Sequence, residues 1–177
     1  MQPLLVPGFL DAPTCRRLRA AMDAGRRDVA EIVGDAITHD ADVRRASSID
    51  IDTATLLALE ARIEGARTVV EAWAERRLGP REGTGLLRYE CGGFYRTHRD
   101  RGSVPGWPGA AHRAVAVIVF LNGGFEGGTL HLYPDRHAPI ELVPVEGLLA
   151  AFSADVLHEV LPVASGIRDT AVDWFCD

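Results

Sequence analysis

The stretch "AVAVIVFL", residues 114–121, is apolar at every position. Side chains of a strand point alternately to its two faces, so a strand of this composition has no face for water. It belongs in the middle of a sheet covered on both sides. Outward from it, residues 84 onward alternate apolar and polar with a period of two. Turn residues recur at Gly92-Gly93, Asn122-Gly123-Gly124, Gly127-Gly128, Pro134-Asp135, Glu146-Gly147 and Ser165-Gly166. About eight short strands fit between these turns.

The first half has a different period. Asp11 can cap a helix running to about Ala24, with Cys15, Leu18 and Met22 on one face and Gly25 as its stop. A longer helix is expected from about Thr53 to Leu78. There Leu56, Leu59, Ile63, Ala66, Val70 and Trp73 step by three and four before Gly79-Pro80. Helices first and strands afterwards predict a mainly β protein, an antiparallel sandwich or jelly roll with its N-terminal helices packed on one sheet. The expected organisation is a single domain over 1–177, with helical support in 1–80 and the β core in 84–177.

The chain has 177 residues, 47% hydrophobic and 25% charged, with a net charge of -6. That balance disfavours nucleic acid and anionic membranes as partners. No run approaches the 18 or so apolar residues of a membrane span, and the N-terminus lacks an export signal, so a protein neither exported nor membrane-bound is expected. Cys15, Cys91 and Cys176 are far apart and form no C-x-x-C pair, which suits a reducing cytoplasm. The oligomeric state is not legible.

One pair of residues raises a chemical question. His98-Arg99-Asp100 is unremarkable by itself in a chain with six histidines. On a strand, however, residues i and i+2 share a face, which sets the imidazole beside the carboxylate. His158 shares a face with Val156 and Val160, and an imidazole among valines needs a partner. Two histidines and a carboxylate on one face of a metal suit a non-haem Fe(II) oxygenase, with zinc as the rival metal. Arg168 falls on the face of Thr170, Val172 and Trp174. A buried guanidinium needs an anion, no acidic residue shares its face, and a carboxylate-bearing co-substrate would supply one.

At this point the sequence resembles the Fe(II) and 2-oxoglutarate-dependent dioxygenases, in their prolyl 4-hydroxylase-like branch. Five blocks carry the likeness in order: "VRRASSI" (43–49), "RYECGGFYRTHRD" (88–100), "FLNGGFEGGTLHLYP" (120–134), "VEGLLAAFSADVLHEVLPVASGIR" (145–168) and the closing Trp174. The resemblance implies a cupin-like double-stranded β-helix holding Fe(II) through His98, Asp100 and His158, with Arg168 on the distal carboxylate of 2-oxoglutarate. It also implies Tyr89, facing inward with Leu87 and Cys91, and Leu130 as residues lining the co-substrate pocket. The implied reaction hydroxylates an unactivated C–H and releases succinate and CO2, with dioxygen consumed and ascorbate as a reductant that can keep the iron Fe(II).

One position departs from that pattern. Many relatives carry a tyrosine before Leu-Asn that helps the arginine; Phe120 stands there, and Thr170 or Thr129 is the expected replacement donor. Arg45, Arg99, Trp107 and Trp174 are the expected substrate contacts, for an amino-acid-like small molecule or a prolyl-containing peptide. Two other classes stay open at this point: a non-catalytic β-helix module that senses a metal or carboxylate ligand, and a zinc hydrolase using the same three residues.

Overall fold

The structure, a computed structural model, describes residues 2–33, 37–102, 108–135 and 137–177. In chain order it runs Leu4–Val6 (β1), Ala12–Ala24 (α1), Arg26–Val29 (β2), Ile32–Val33 (β3), Ile37–Thr38 (β4), Arg44–Arg45 (β5), Ser47–Asp50 (β6), Thr53–Gly65 (α2) and Arg67–Ala74 (α3). It continues through Gly85–Tyr89 (β7), Phe94–His98 (β8), Pro108–Ala111 (α4), Arg113–Phe120 (β9), Glu126–Gly127 (β10), Leu130–Tyr133 (β11) and Ile140–Leu142 (β12). Leu149–Ser153 (β13), Leu157–Val160 (β14), Val163–Ser165 (β15) and Arg168–Cys176 (β16) complete it.

Two antiparallel sheets face each other. The larger has seven strands in the order β1-β13-β9-β16-β7-β6-β2, the smaller five in the order β12-β11-β14-β8-β5. The apolar stretch lies where its composition predicts: β9 is buried at every residue, between β13 and β16. Its two faces feed two separate cores. Val115, Val117 and Val119 pack with Cys15, Leu18 and Met22 of α1 and with Leu59, Ile63 and Val70 of the later helices. Ala116, Ile118 and Phe120 pack between the sheets with Leu130, Leu132 and Phe152. At about 1.5–3 kcal/mol for each fully buried Val, Leu, Ile or Phe, this strand is a main source of stability, and a charge at Val117 would break it.

Helix α1 is as expected: the Asp11 carboxylate accepts from Thr14 N at 2.8 Å, a cap worth about 1 kcal/mol. Gly25 ends it for a steric reason, since a Cβ there would stand 2.4 Å from the carbonyl oxygen of Asp50. The long helix is broken. It stops at Gly65, and Ala66 serves as the last cap of α2 and the first of α3. Glycine is a poor helix former; α3 then ends at Ala74, where Glu75 turns left-handed and the Glu71 carboxylate takes the free Leu78 N–H at 3.0 Å.

The first half is also more than a helical support. It contributes β1, β2 and β6 to the larger sheet and β5 to the smaller one. These strands are short, and β2 (Arg-Arg-Asp-Val) is exposed along its whole length, so it carries no alternating signal. From β7 onward the described residues form ten strands, two more than the turns suggest, because β10 and β15 make a small ladder of their own. Among the described residues no helix is long and apolar enough to cross a membrane.

Behind the larger sheet a buried ion network ties α1 to β7 and β16. Arg88 donates to both carboxylate oxygens of Asp169 at 2.7 and 2.8 Å, and Arg19 of α1 adds a third contact at 2.9 Å.

Candidate active site

His98 ends β8, and His158 on the neighbouring β14 is its register partner. The ring centroids are 4.1 Å apart. Asp100, two residues beyond His98, closes a triangle: one carboxylate oxygen is 3.7 Å from His98 Nε2 and the other 3.5 Å from His158 Nε2. All three ligand atoms lie within 4.8 Å of one another, an arrangement able to hold a metal ion, found once among the described residues.

The backbone sets the tautomers. His98 Nδ1 lies 2.7 Å from the Arg96 carbonyl and His158 Nδ1 2.9 Å from that of Val156, each two residues back in the chain. A carbonyl only accepts, so Nδ1 carries a proton on both rings and Nε2 is the atom turned to Asp100. Burial, reinforced by the neighbouring His158, lowers His98 to about 3. Burial pushes the Asp100 carboxyl up, but His158 and His98, with Trp174 and Arg113 beyond them, pull it below the usual carboxylate range. A neutral His98 and an ionised Asp100 are the protonation states that a metal requires of those two groups.

Arg168 stands on β16 opposite Tyr89 and is 1% exposed. Its guanidinium carbon is 5.0 Å from the Tyr89 ring centroid and 5.3 Å from that of Phe120. Nη1 reaches Thr170 Oγ1 at 3.4 Å, while Nε and Nη2 are buried without partners. Burial lowers it to about 10. Orphaned charged donors of this kind are destabilising unless an anion meets them. Gly128 makes room for the stem: its φ is +63°, and a Cβ would approach Arg168 Cδ to 2.9 Å.

Asn122 fixes the peptide on either side of Arg168. Its Oδ1 accepts from Asp169 N at 2.9 Å, and its Nδ2 donates to the carbonyl of Ile167 at 2.7 Å. The Asn-Gly-Gly turn alone suggests only a strand end; the clamp needs the contact between β9 and β16 to be seen.

Tyr89, Leu130, Arg99 and Trp174 line the same cavity as the His-Asp-His cluster. Thr170 meets Arg168 instead, and Cys91, expected inward with Tyr89, is exposed because the chain turns at Gly92-Gly93. Trp107 lies outside the described residues. Arg45 stands apart from the cavity: its guanidinium lies 5.5 Å from the Phe94 ring, beside a separate cleft with Glu90 and Cys91.

The neighbouring Arg44 lines the cavity in its place, together with Glu31, Tyr95 and Arg113. Arg113 lies 3.7 Å over the Trp174 ring and is neutralised by Glu82, to which its Nε donates at 2.6 Å. Strand alternation admits only one of Arg44 and Arg45 to each face, and it is Arg44, not the expected Arg45, that faces the cavity.

The sequence profile of the 2OG-Fe(II) oxygenase superfamily matches residues 84–176. Among solved structures the chain is similar to a prolyl-4-hydroxylase of Pseudomonas putida, at 26% identity and a TM-score of 0.80, covering 99% of this chain and 92% of that one. It shares its fold with a prolyl hydroxylase of Trichoplax adhaerens in complex with a hypoxia inducible factor oxygen degradation domain peptide fragment. The values there are 19% identity, a TM-score of 0.76, and coverage of 99% and 83%. It also shares its fold with a viral collagen prolyl hydroxylase of Paramecium Bursaria Chlorella virus-1 in complex with 2OG, at 18% identity and a TM-score of 0.69 over 99% and 96%. No curated protein matches the sequence.

Proposed function

The chain belongs to the 2OG-Fe(II) oxygenase superfamily, and on that premise we propose that His98, Asp100 and His158 hold Fe(II) while Arg168 takes the distal carboxylate of 2-oxoglutarate. The observation that carries the reading is the pairing of two unmet needs in one fold. Two imidazoles and a carboxylate bring their ligand atoms within 4.8 Å of one another, and a buried guanidinium keeps Nε and Nη2 unpartnered. The donor set suits Fe(II), because three protein ligands on one face leave positions for a chelating co-substrate and dioxygen. The guanidinium suits a carboxylate, which its fork can grip with two parallel hydrogen bonds.

Bound iron with 2-oxoglutarate supplies the oxidising power for hydroxylating an unactivated C–H, with release of succinate and CO2. The protein's own residues do the rest. The Arg96 and Val156 carbonyls aim the two imidazoles. Tyr89, Leu130 and Ile118 give the cavity apolar walls that limit water. Thr170 supplies the hydroxyl beside Arg168 that Phe120 lacks, and Asn122 fixes the arginine's backbone. Trp174, Arg99, Arg44 and Glu31 line the same cavity and would meet the substrate there.

An amino-acid-like small molecule or a prolyl-containing peptide fits the reading; the peptide bound to the Trichoplax enzyme supports the second class. We also read residues 1–177 as one catalytic domain acting in the cytoplasm. The strands from the first half that complete both sheets, and the free thiols of Cys15 and Cys91, support this.

The test loads the protein with Fe(II) and 2-oxoglutarate anaerobically, admits oxygen and measures succinate. Wild type is expected to produce it, and His158→Ala to fall by roughly a thousandfold, since loss of a metal ligand removes both metal and co-substrate. Unchanged turnover in His158→Ala would overturn the reading. Stoichiometric 2-oxoglutarate binding without succinate would point to a sensing module instead.

A further inference from the structure

The arginines of this chain are unevenly partnered. More than half of those described stand in ion pairs with carboxylates. Apart from the buried Arg168 and three on α1 and α2, the exceptions are Arg44, Arg45, Arg96 and Arg99, which fall together on β5, on β8 and on the residue after it. Each is held by groups that leave its charge in place. Arg44 donates to the Glu31 carbonyl and lies 4.5 Å from the Tyr95 ring centroid, Arg96 donates to the Asp42 carbonyl, and Arg99 donates to that of Asp155. Arg45 and Arg96 stand 5.5 and 5.3 Å from the centroid of the Phe94 ring. Carbonyls and aromatic rings orient a guanidinium without neutralising it. The carboxylates of Glu90 and Asp155 are paired with Arg27 and Arg101, and the exposed ones of Glu31, Asp40 and Asp42 form no ion pair with any of the four among the described residues.

The placement of the four sets the length of a ligand that meets them. Arg44 and Arg99 line the cavity shared by His98, Asp100 and His158. Arg45 stands across from Phe94, which precedes His98 by four residues on β8, about 13 Å along an extended strand. β5 is the edge of the smaller sheet, and its two residues point to opposite faces. A ligand that reaches all four arginines therefore crosses that edge. It is also longer than a single amino acid, which spans about 3.5 Å of extended chain. Guanidinium forks select carboxylates. An extended peptide with acidic side chains a few residues from the reacting one meets both demands, length and charge.

Resting on the reading of the cluster as the iron and 2-oxoglutarate site, we propose that the substrate is an acidic peptide segment, held by Arg44 and Arg99 within the cavity and by Arg45 and Arg96 outside it. Its Asp or Glu side chains stand within about four residues of the one that is hydroxylated.

The test titrates the holoprotein, with Fe(II) and 2-oxoglutarate under anaerobic conditions, with three capped peptides of equal length. They carry a central proline flanked by glutamates, by glutamines or by lysines. Binding is read by calorimetry at low and at raised salt, and 2-oxoglutarate binding is measured separately first on each protein. The glutamate peptide is expected to bind about tenfold tighter than the glutamine peptide, with the lysine peptide weakest. Raised salt is expected to shrink that preference. Replacing the exposed pair together, Arg45→Gln with Arg96→Gln, is expected to reduce it to about threefold. The peptide series tests the idea on wild type even where the variant folds poorly. Equal affinity for the glutamate and glutamine peptides, or no binding by any of the three, overturns the proposal while 2-oxoglutarate binding stands. An undiminished preference in the double variant overturns it too, as does an oligothymidine that competes as well as the glutamate peptide. Failure of 2-oxoglutarate to bind wild type overturns the underlying site reading.

Discussion

Arg168 and Asp169 are neighbours on β16 and face opposite sides of the larger sheet, and both are buried. Asp169, 0% exposed, is gripped by Arg88 and Arg19. Arg168, 1% exposed, has a weak contact to Thr170 and two donors left over. The same strand therefore closes its electrostatics on the helix side and leaves them open on the side of Tyr89 and Phe120. A buried charge that is fully paired within the fold holds the fold together; one left unpaired is a cost to it, which the proposed binding of a carboxylate would offset.

The contrast can be broken from either side. The largest effect is expected from Arg168→Leu. Each lost charge-assisted hydrogen bond is worth about 1.5–3 kcal/mol, so 2-oxoglutarate affinity should fall about a hundredfold or more by calorimetry. The same variant should unfold at equal or higher denaturant concentration without ligand, because it removes an uncompensated charge. Next comes Asp169→Ala, which strands Arg88 and should lower stability by about 3–5 kcal/mol in chemical denaturation. If Arg168→Leu proved the more destabilising of the two without ligand, the contrast would be wrong.

A smaller effect sharpens it. Asn122→Ala releases the peptide groups on both sides of Arg168, so KM for 2-oxoglutarate should rise about tenfold while kcat at saturation changes little. Loss of a hydrogen-bonded clamp of this kind costs about 1–3 kcal/mol. A fall in kcat with KM unchanged would make Asn122 a general support of the fold.

Much of this was legible in the residues themselves. The unbroken apolarity of 114–121 placed a central strand, and a period of two placed Arg168 inward and Asp169 outward. The triad was legible because His98 and Asp100 are two apart on one strand, although their meeting with His158 depends on the β8–β14 register, which a single sequence does not display.

What escaped shares one physical cause, dependence on partners distant in the chain. The polar edge strand β2 exists only because β6 lies beside it. The break at Ala66 is a local conflict between a helical period and a glycine. Arg44 and Arg45 differ by a single register step, and such a step sends a side chain to the opposite face. The likeness in "VRRASSI" favoured the second arginine, and the structure brings the first to the cavity.

The most direct measurement compares two ligands on two proteins. Fe(II)-loaded wild type and Arg168→Leu are titrated anaerobically with 2-oxoglutarate and with 2-oxopentanoate, which carries a methyl in place of the distal carboxylate. On the proposed role of Arg168 in binding the second carboxylate, wild type should prefer 2-oxoglutarate about a hundredfold, and Arg168→Leu should bind the two alike. An undiminished preference in Arg168→Leu would mean that another group binds that carboxylate and that the orphaned arginine is not the co-substrate anchor.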